Sequence, residues 1–312
     1  MKEMKKMTAG MLKMYGIRRG AAMNIRKIEA FVRAVELGSL SKAAEELGYT
    51  QSGISHMMQS LEEEVGFPLM VRTSAGIKPN SEGQMLLPVI RELLSASESL
   101  EQHIARIKGV DSGRIRIACY ASIAAYWLPA IIAAFRKDYP HVEVEIIEAG
   151  SRQIEHMMEE RQVDLCIYAG GHDRGYEWIP LKTDRMLVLV EPNHPLAGEK
   201  WVNYEQLARE QFIAPMQLYD GEVFEILSRF PVQPVTAFSA CSDYAIINMV
   251  GMGLGVSILP ELLVKNYSGG TSALELEPPV SRTLGMGVPQ MKTVSPVTKC
   301  FMKYVEQYIA EQ

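Results

Sequence analysis

From Asn24 onward the apolar positions repeat at helical spacing: Ile28, Phe31, Val32 and Val35 share one face, and Gly38 ends the run. A second amphipathic stretch, residues 41–47, turns Ala43, Ala44 and Leu47 inward, with Ser41 placed to cap it and Gly48 to break it. A third spans 51–65, behind Thr50 as cap, with Ile54, Met57, Met58 and Leu61 as its inward stripe and Gly66 and Pro68 as its stop. Two short helices joined by a tight turn containing Gly have the sequence form of a helix-turn-helix. Residues 69–72 then read as a strand, Ser74, Ala75 and Gly76 as a turn, and Ile77 and Lys78 as its return, which predicts a two-stranded wing.

A long helix follows, for which Ser81 and Gln84 form a capping box. Leu86, Ile90, Leu93, Ser97, Leu100, Ile104 and Ile107 recur at alternating steps of four and three, a heptad seam that predicts helix pairing, and Pro88 is expected to kink the helix near its start. Residues 109–113 are a polar, glycine-flanked junction. Behind it strands and helices alternate: strands at 114–120, 142–149 and 164–168, helices at 123–137 and 151–161. The alternation resumes with strands at 186–190, 212–214, 235–238 and 256–259, and helices near 204–210, after Asp220 and at 243–252. This order predicts a parallel sheet in two sheet-and-helix units, with a ligand cleft between them. Ala169, Gly170 and Gly171 read as a flexible exit from one unit to the other.

Composition narrows the class. A chain of 312 residues, 47% apolar and 22% charged, is an ordinary globular protein of two or three domains. No stretch approaches the ~18–20 apolar residues of a membrane span, and residues 1–23 lack the roughly 7–15 apolar residues of a secretory signal, so a cytoplasmic protein without membrane contact is expected. Cys119, Cys166, Cys241 and Cys300 lie far apart with no zinc-ligand spacing, so neither metal nor cofactor is expected, and three of them sit in or beside apolar runs, which favours buried free thiols over redox chemistry. Charge is uneven: residues 1–23 carry +5, residues 24–83 carry −2 and the rest −8. A case for nucleic-acid binding therefore has to come from a motif rather than from net charge.

Chemistry-bearing motifs are scarce. Gly251, Gly253 and Gly255 leave a helix and enter a strand, the reverse of a dinucleotide loop, and read as a helix stop. The histidines (His56, His103, His141, His156, His172 and His194) form no metal pair, and no nucleophile elbow accompanies them. No catalytic residues are assigned, and an enzyme is not expected.

The stretch GSLSKAAEELGYTQSGISHMMQSLEEEVGFPLMVRT, from Gly38 to Thr73, resembles the winged helix-turn-helix of LysR-type transcriptional regulators: Ala43-Ala44, Thr50-Gln51, Ser55, Leu61-Glu62 and the Gly-x-x-Leu-x-x-Arg run from Gly66 to Arg72 carry it. The likeness continues through Leu128-Pro129, Asp164-Leu165, His194-Pro195-Leu196 and the run from Gly251 to Pro260. It implies a multidomain α/β protein: a basic extension at 1–23, a winged helix-turn-helix at 24–82, a dimerisation helix at 83–110 and an effector-binding domain at 114–312. That last domain would be two-lobed and similar to type 2 periplasmic binding proteins, with lobe I at about 114–168 and 278–312 and lobe II at about 169–277. The resemblance also makes Met23 a natural start. His56 where Arg or Lys is frequent, Ser52 where Pro is usual, and a wing tip without basic residues depart from the family pattern. These departures and the −2 charge predict weak non-specific affinity, which the +5 extension would partly restore.

Gln51, Ser52, Ser55, His56 and Gln59 are the base-reading candidates, and Ser41, Arg72, Thr73 and Lys78 the phosphate contacts on double-stranded DNA. Glu62, Glu63 and Glu64 are expected to be solvated or to face a partner subunit. For the effector, helix N-termini behind strands suit a small organic acid or similar anion. The family likeness then selects Ala121, Ser122, Ser151, Tyr168, Cys241 and Ser242, while Asp243 opposes a second negative charge. The predicted protein is a regulator that forms a homodimer or homotetramer through the long helix. Two other classes share parts of this pattern: a two-lobed solute-binding protein without DNA function, and an α/β enzyme.

Overall fold

The computed structural model describes residues 24–74, 76–107, 112–170, 175–216, 221–229 and 233–312. The basic segment 1–23, Ala75, residues 109–111 of the junction, Gly171 and His172 lie outside the described residues. The chain divides into two compact units between Glu98 and Ser99. Among the described residues no helix is long and apolar enough to cross a membrane.

The first unit holds α1 (Ile25–Glu36), α2 (Leu40–Leu47), α3 (Gln51–Val65), the hairpin β1 (Met70–Thr73) and β2 (Gly76–Pro79), and the start of α4 (Ser81–Ile107). Its core joins Ile28 and Phe31 of α1, Ala43 of α2, Ile54, Met58 and Leu61 of α3, Leu69, and Leu87 and Ile90 of α4. The helices begin where a side chain takes over an orphan amide: Asn24 accepts from Arg26 N, Ser39 from Lys42 N and Thr50 from Gly53 N. Ser41 is therefore not the cap expected of it, because the extended backbone of Ser39 starts the helix two residues earlier. Likewise the cap of α4 is Asn80, whose Oδ1 accepts from Gly83 N at 2.8 Å, whereas Ser81 donates to Glu82. β1 and β2 pair antiparallel from Met70↔Pro79 to Thr73↔Gly76. Gly76 has φ +115°, and a Cβ there would lie 2.3 Å from Gly38 O; Ile77 N donates to that same carbonyl, which ties the wing to the α1–α2 turn.

The heptad expected on α4 is divided in the structure. Leu86, Leu87, Ile90 and Leu94 pack on the first unit's core, while Met85, Val89, Leu93, Leu100 and Ile104 are exposed. A helix that covers a domain core with one face has to carry any second apolar stripe on another, so the exposed stripe starts one residue before Leu86. Pro88 is accommodated inside the helix.

The second unit opens with β3 (Ser112–Cys119), α5 (Ala121–Tyr126), α6 (Leu128–Asp138), β4 (His141–Glu148), α7 (Ser151–Glu159) and β5 (Leu165–Ala169). It continues with β6 (Glu177–Val190), β7 (Trp201–Asn203), α8 (Tyr204–Leu207), β8 (Gln211–Pro215), α9 (Gly221–Ser228), β9 (Val235–Ala240) and α10 (Asp243–Gly251). The last elements are β10 (Ser257–Pro260), α11 (Glu261–Val264), β11 (Ser272–Val288) and α12 (Pro296–Ala310). The single helix expected at 123–137 is two, since Pro129 near the start of α6 lacks the amide that would continue the ladder past Trp127.

One sheet runs β10-β6-β11-β5-β3-β4, with β7 also on β11, and β8 pairs with β9 beside it. Its β3 contacts with β4 and β5 are parallel, as expected, but β11 is antiparallel to β5 and β6, and β6 to β10. The reason lies in the two long strands. β6 pairs Glu177 with Val288 in one lobe and Val190 with Ser272 in the other, and β11 returns along it. Chain crossing between the lobes thus takes place along β6 and β11 rather than at Ala169 and Gly170. Lobe I buries Ile115, Ile117, Phe135 and Phe301 on one sheet face and Ile154, Cys166 and Tyr168 on the other. Lobe II buries Val188, Phe212 and Ile258 on one face and Leu189, Ile246 and Leu259 on the other. The glycines after α10 act as the helix stop: Gly253 (φ +73°) turns the chain out of the helix toward β10.

Candidate DNA-reading surface and effector cavity

The polar face of α3 is open. Gln51, Ser52, His56 and Gln59 are exposed and Ser55 is half-buried, opposite the buried Ile54, Met58 and Leu61. Thr50 Oγ1 caps the helix and lies 3.2 Å from Ser52 Oγ, while Gln59 Nε2 donates to Glu63 Oε1 at 3.0 Å. Arg72, Thr73 and Lys78 are exposed on the wing, where Thr73 Oγ1 donates to Gly76 O across the turn. Ser41 is exposed in the first turn of α2 beside Lys42, a cation not singled out from the sequence. Other cations serve the fold: Lys27 bonds Glu64 at 2.5 Å, and Arg33 bonds Glu36 and Glu46. All three glutamates at the end of α3 have partners within the first unit: Glu63 takes Gln59, Glu64 takes Lys27, and Glu62 accepts from the backbone amides of Leu69 and Met70, which fixes the approach to the wing.

In the second unit a cavity of about 300 Å³ opens between the lobes. Lobe I contributes Tyr120, Ala121 and Ser122 at the β3–α5 turn and Glu148, Ala149 and Gly150 at the β4–α7 turn. From lobe II come Pro215, Cys241, Ser242, Asp243, Tyr244 and Pro260, and from the crossing strand β11 comes Arg282. Of the expected effector residues, Ala121, Ser122, Cys241 and Ser242 are brought together here; Ser151 and Tyr168 are not. The cap of α7 is Gly150, whose amide donates to Gln153 Oε1, which puts Ser151 one residue inside the helix. Tyr168 is fully buried behind the cavity wall, edge-on to Tyr120 and Trp178 and hydroxyl-bonded to Tyr176, and burial raises its phenol well above the usual range.

Arg282 was not anticipated. Its Nε and Nη2 lie 3.1 and 3.0 Å from Asp184 Oδ2, both side chains are buried, and its Cζ stands 5.1 Å from the Tyr120 ring centroid. Asp184, its register partner on β6, also accepts from Leu262 N at the start of α11. Burial raises the Asp184 carboxyl above its ordinary value, and the Arg282 charge works against that shift.

Cys119 and Cys166 are buried, and burial pushes the Cys119 thiol up to about 12. Cys241 is exposed at the cavity, where it donates to Met216 Sδ at 3.0 Å, and Cys300 is half-buried. Among the described residues no group of three His, Cys, Asp or Glu side chains is arranged to hold a metal ion.

A winged helix-turn-helix with an open recognition helix, followed by a two-lobed α/β unit around a small-molecule cavity, defines the class of ligand-responsive DNA-binding regulators. The comparisons agree. Residues 25–84 match the family of bacterial regulatory helix-turn-helix proteins of lysR type, and residues 108–310 match the LysR substrate binding domain. The chain belongs to the LysR family: it is a DNA-binding transcriptional regulator with an effector-binding domain. It is 28% identical to the HTH-type transcriptional regulator YvbU of Bacillus subtilis over 288 residues, which cover 91% of this chain and 98% of that one. It is also 27% identical to the transcriptional dual regulator GltC of the same organism over 93% of this chain and 98% of that one. In fold it resembles a cysteine-to-aspartate variant of full-length OxyR from Pseudomonas aeruginosa, with a TM-score of 0.73 at 18% identity over 92% of this chain and 94% of that one.

Proposed function

We propose that a homodimer or homotetramer, joined through α4, works in the cytoplasm, reads duplex DNA with α3 and responds to a small molecule held in the cavity between the lobes. The observation that carries the DNA-reading part is the capped α3 with Gln51, Ser52, His56 and Gln59 exposed together on its polar face. Gln pairs bidentately with adenine, and His and Ser reach single base-edge atoms, so these positions and Ser55 supply specificity. Arg72, Thr73 and Lys78 on the wing, with Ser41 and Lys42 at α2, supply phosphate contacts. Effector binding then biases the geometry of paired subunits in proportion to its preference for one arrangement over the other.

The test is DNA affinity across salt. Gln51→Ala and Gln59→Ala are expected to cost about 1–3 kcal/mol on the specific site and to relax base preference, whereas Lys78→Ala weakens all DNA and reduces the salt slope by about one. A Gln59→Ala variant with unchanged affinity and unchanged base preference would remove Gln59 from the reading set.

A further inference from the structure

Among the described residues three charged side chains line the cavity: Glu148 at the end of β4, Asp243 in the first turn of α10 and Arg282 on β11. Arg282 is paired with Asp184, so these four described groups carry a formal charge of −2. Glu148 is exposed, and its carboxylate takes no hydrogen bond or ion pair from any described residue. The surplus is felt inside the cavity: the Tyr244 hydroxyl is pushed up to about 12, first by desolvation and its hydrogen bond with Tyr126, then by Glu148 and Asp243. A purely anionic ligand, the one expected from the sequence, meets this surplus as repulsion, and a purely cationic one places charge beside Arg282. A guanidinium carries five N–H donors in a planar fork, enough to hold a second carboxylate while it keeps Asp184.

We propose that the effector is a small zwitterion of amino-acid size, its ammonium held by Glu148 and Asp243 and its carboxylate by Arg282. The proposal rests on the cavity being the effector site. The cavity's volume of about 300 Å³ suits such a molecule, since it lies at the small end of the roughly 300–1,000 Å³ typical of ligand pockets. Ser122, buried in the wall, and Ser242 add hydroxyls of either polarity.

The experiment is calorimetric titration and thermal unfolding of the full chain with the L-α-amino acids and 5-aminopentanoate. The 2-oxo acid or dicarboxylate and the amine counterpart of each are titrated alongside it. At least one zwitterion is expected to bind, its anionic and cationic counterparts at least tenfold more weakly. Glu148→Gln and Asp243→Asn are each expected to weaken the zwitterion about tenfold and to narrow its advantage over the anion, with the ligand-free unfolding temperature as the control for folding. An anion that binds as tightly as its zwitterion, or no zwitterion binding at all, overturns the proposal. Ala121→Trp, which fills the cavity, separates the two levels. If it abolishes binding of an anion or amine, the effector site stands and only the ligand class is wrong. If it changes no binding, or if no probe of any class binds, the effector reading falls as well.

Discussion

Arg282 and Asp184 form a buried ion pair at the place where β6 and β11 cross between the lobes, and the pair holds the cavity wall to the hinge strands. Removing one partner of such a pair leaves the other charge buried and typically costs about 3–5 kcal/mol. Arg282→Met is expected to lower stability to urea by that order, and Asp184→Asn/Arg282→Met to recover much of it; a double variant no more stable than the single one would show that the pair is not the cause. A second ion pair has a pH signature. Hydrogen bonding from Arg185 draws the Glu261 carboxyl from 4.5 down to about 2, with Lys265 assisting. A depressed carboxylate contributes its full stability above pH 4.5 and loses it as pH falls through about 2. The stability difference between the wild type and Glu261→Gln is therefore expected to shrink from pH 6 to pH 2, modestly because Arg185 is half exposed; a constant difference would refute the pairing. At this scale the sequence was partly legible. Ala121, Ser122, Cys241 and Ser242 stood out because they follow strands, but Glu148 and Arg282 lie on strands whose inward positions no local pattern marks. Ser151 was misplaced by one residue because Gly150, which has no side chain to signal a cap, starts α7.

Among the elements, α4 has two apolar faces, one against the first unit's core and one bearing Met85, Val89, Leu93, Leu100 and Ile104 in the open. An exposed apolar stripe of this length on a helix suits pairing with a second copy. Leu93→Glu/Leu100→Glu is expected to shift the protein to monomer in sedimentation at micromolar concentration without changing its helix content. A variant that keeps the wild-type mass would move the dimer contact elsewhere. Strong helical periodicity made α1, α3 and α4 legible in the sequence, and the phase of the stripe was not, because a list of apolar positions does not say which face each serves. The antiparallel β11 also escaped notice. Pro278 and Pro279 interrupt its pattern, and a strand that crosses two lobes has no flanking helix to announce it.

At the scale of the molecule, residues 24–83 carry −2, and the cations of the first unit are divided between two tasks. Lys27 and Arg33 serve internal ion pairs, while Lys42 on α2 and Arg72 and Lys78 on the wing remain exposed. The order of domains was legible from the sequence because each has its own periodicity; the charge of the cavity was not, because it is assembled from residues as far apart as Glu148 and Arg282. The central claim is that paired subunits read two half-sites on DNA. Footprinting the full chain on the DNA flanking its own coding region, at low and moderate salt with a non-specific fragment as control, tests it most directly. Two protected patches about one helical turn or a multiple apart are predicted. A folded dimer that protects nothing at either salt would contradict the account.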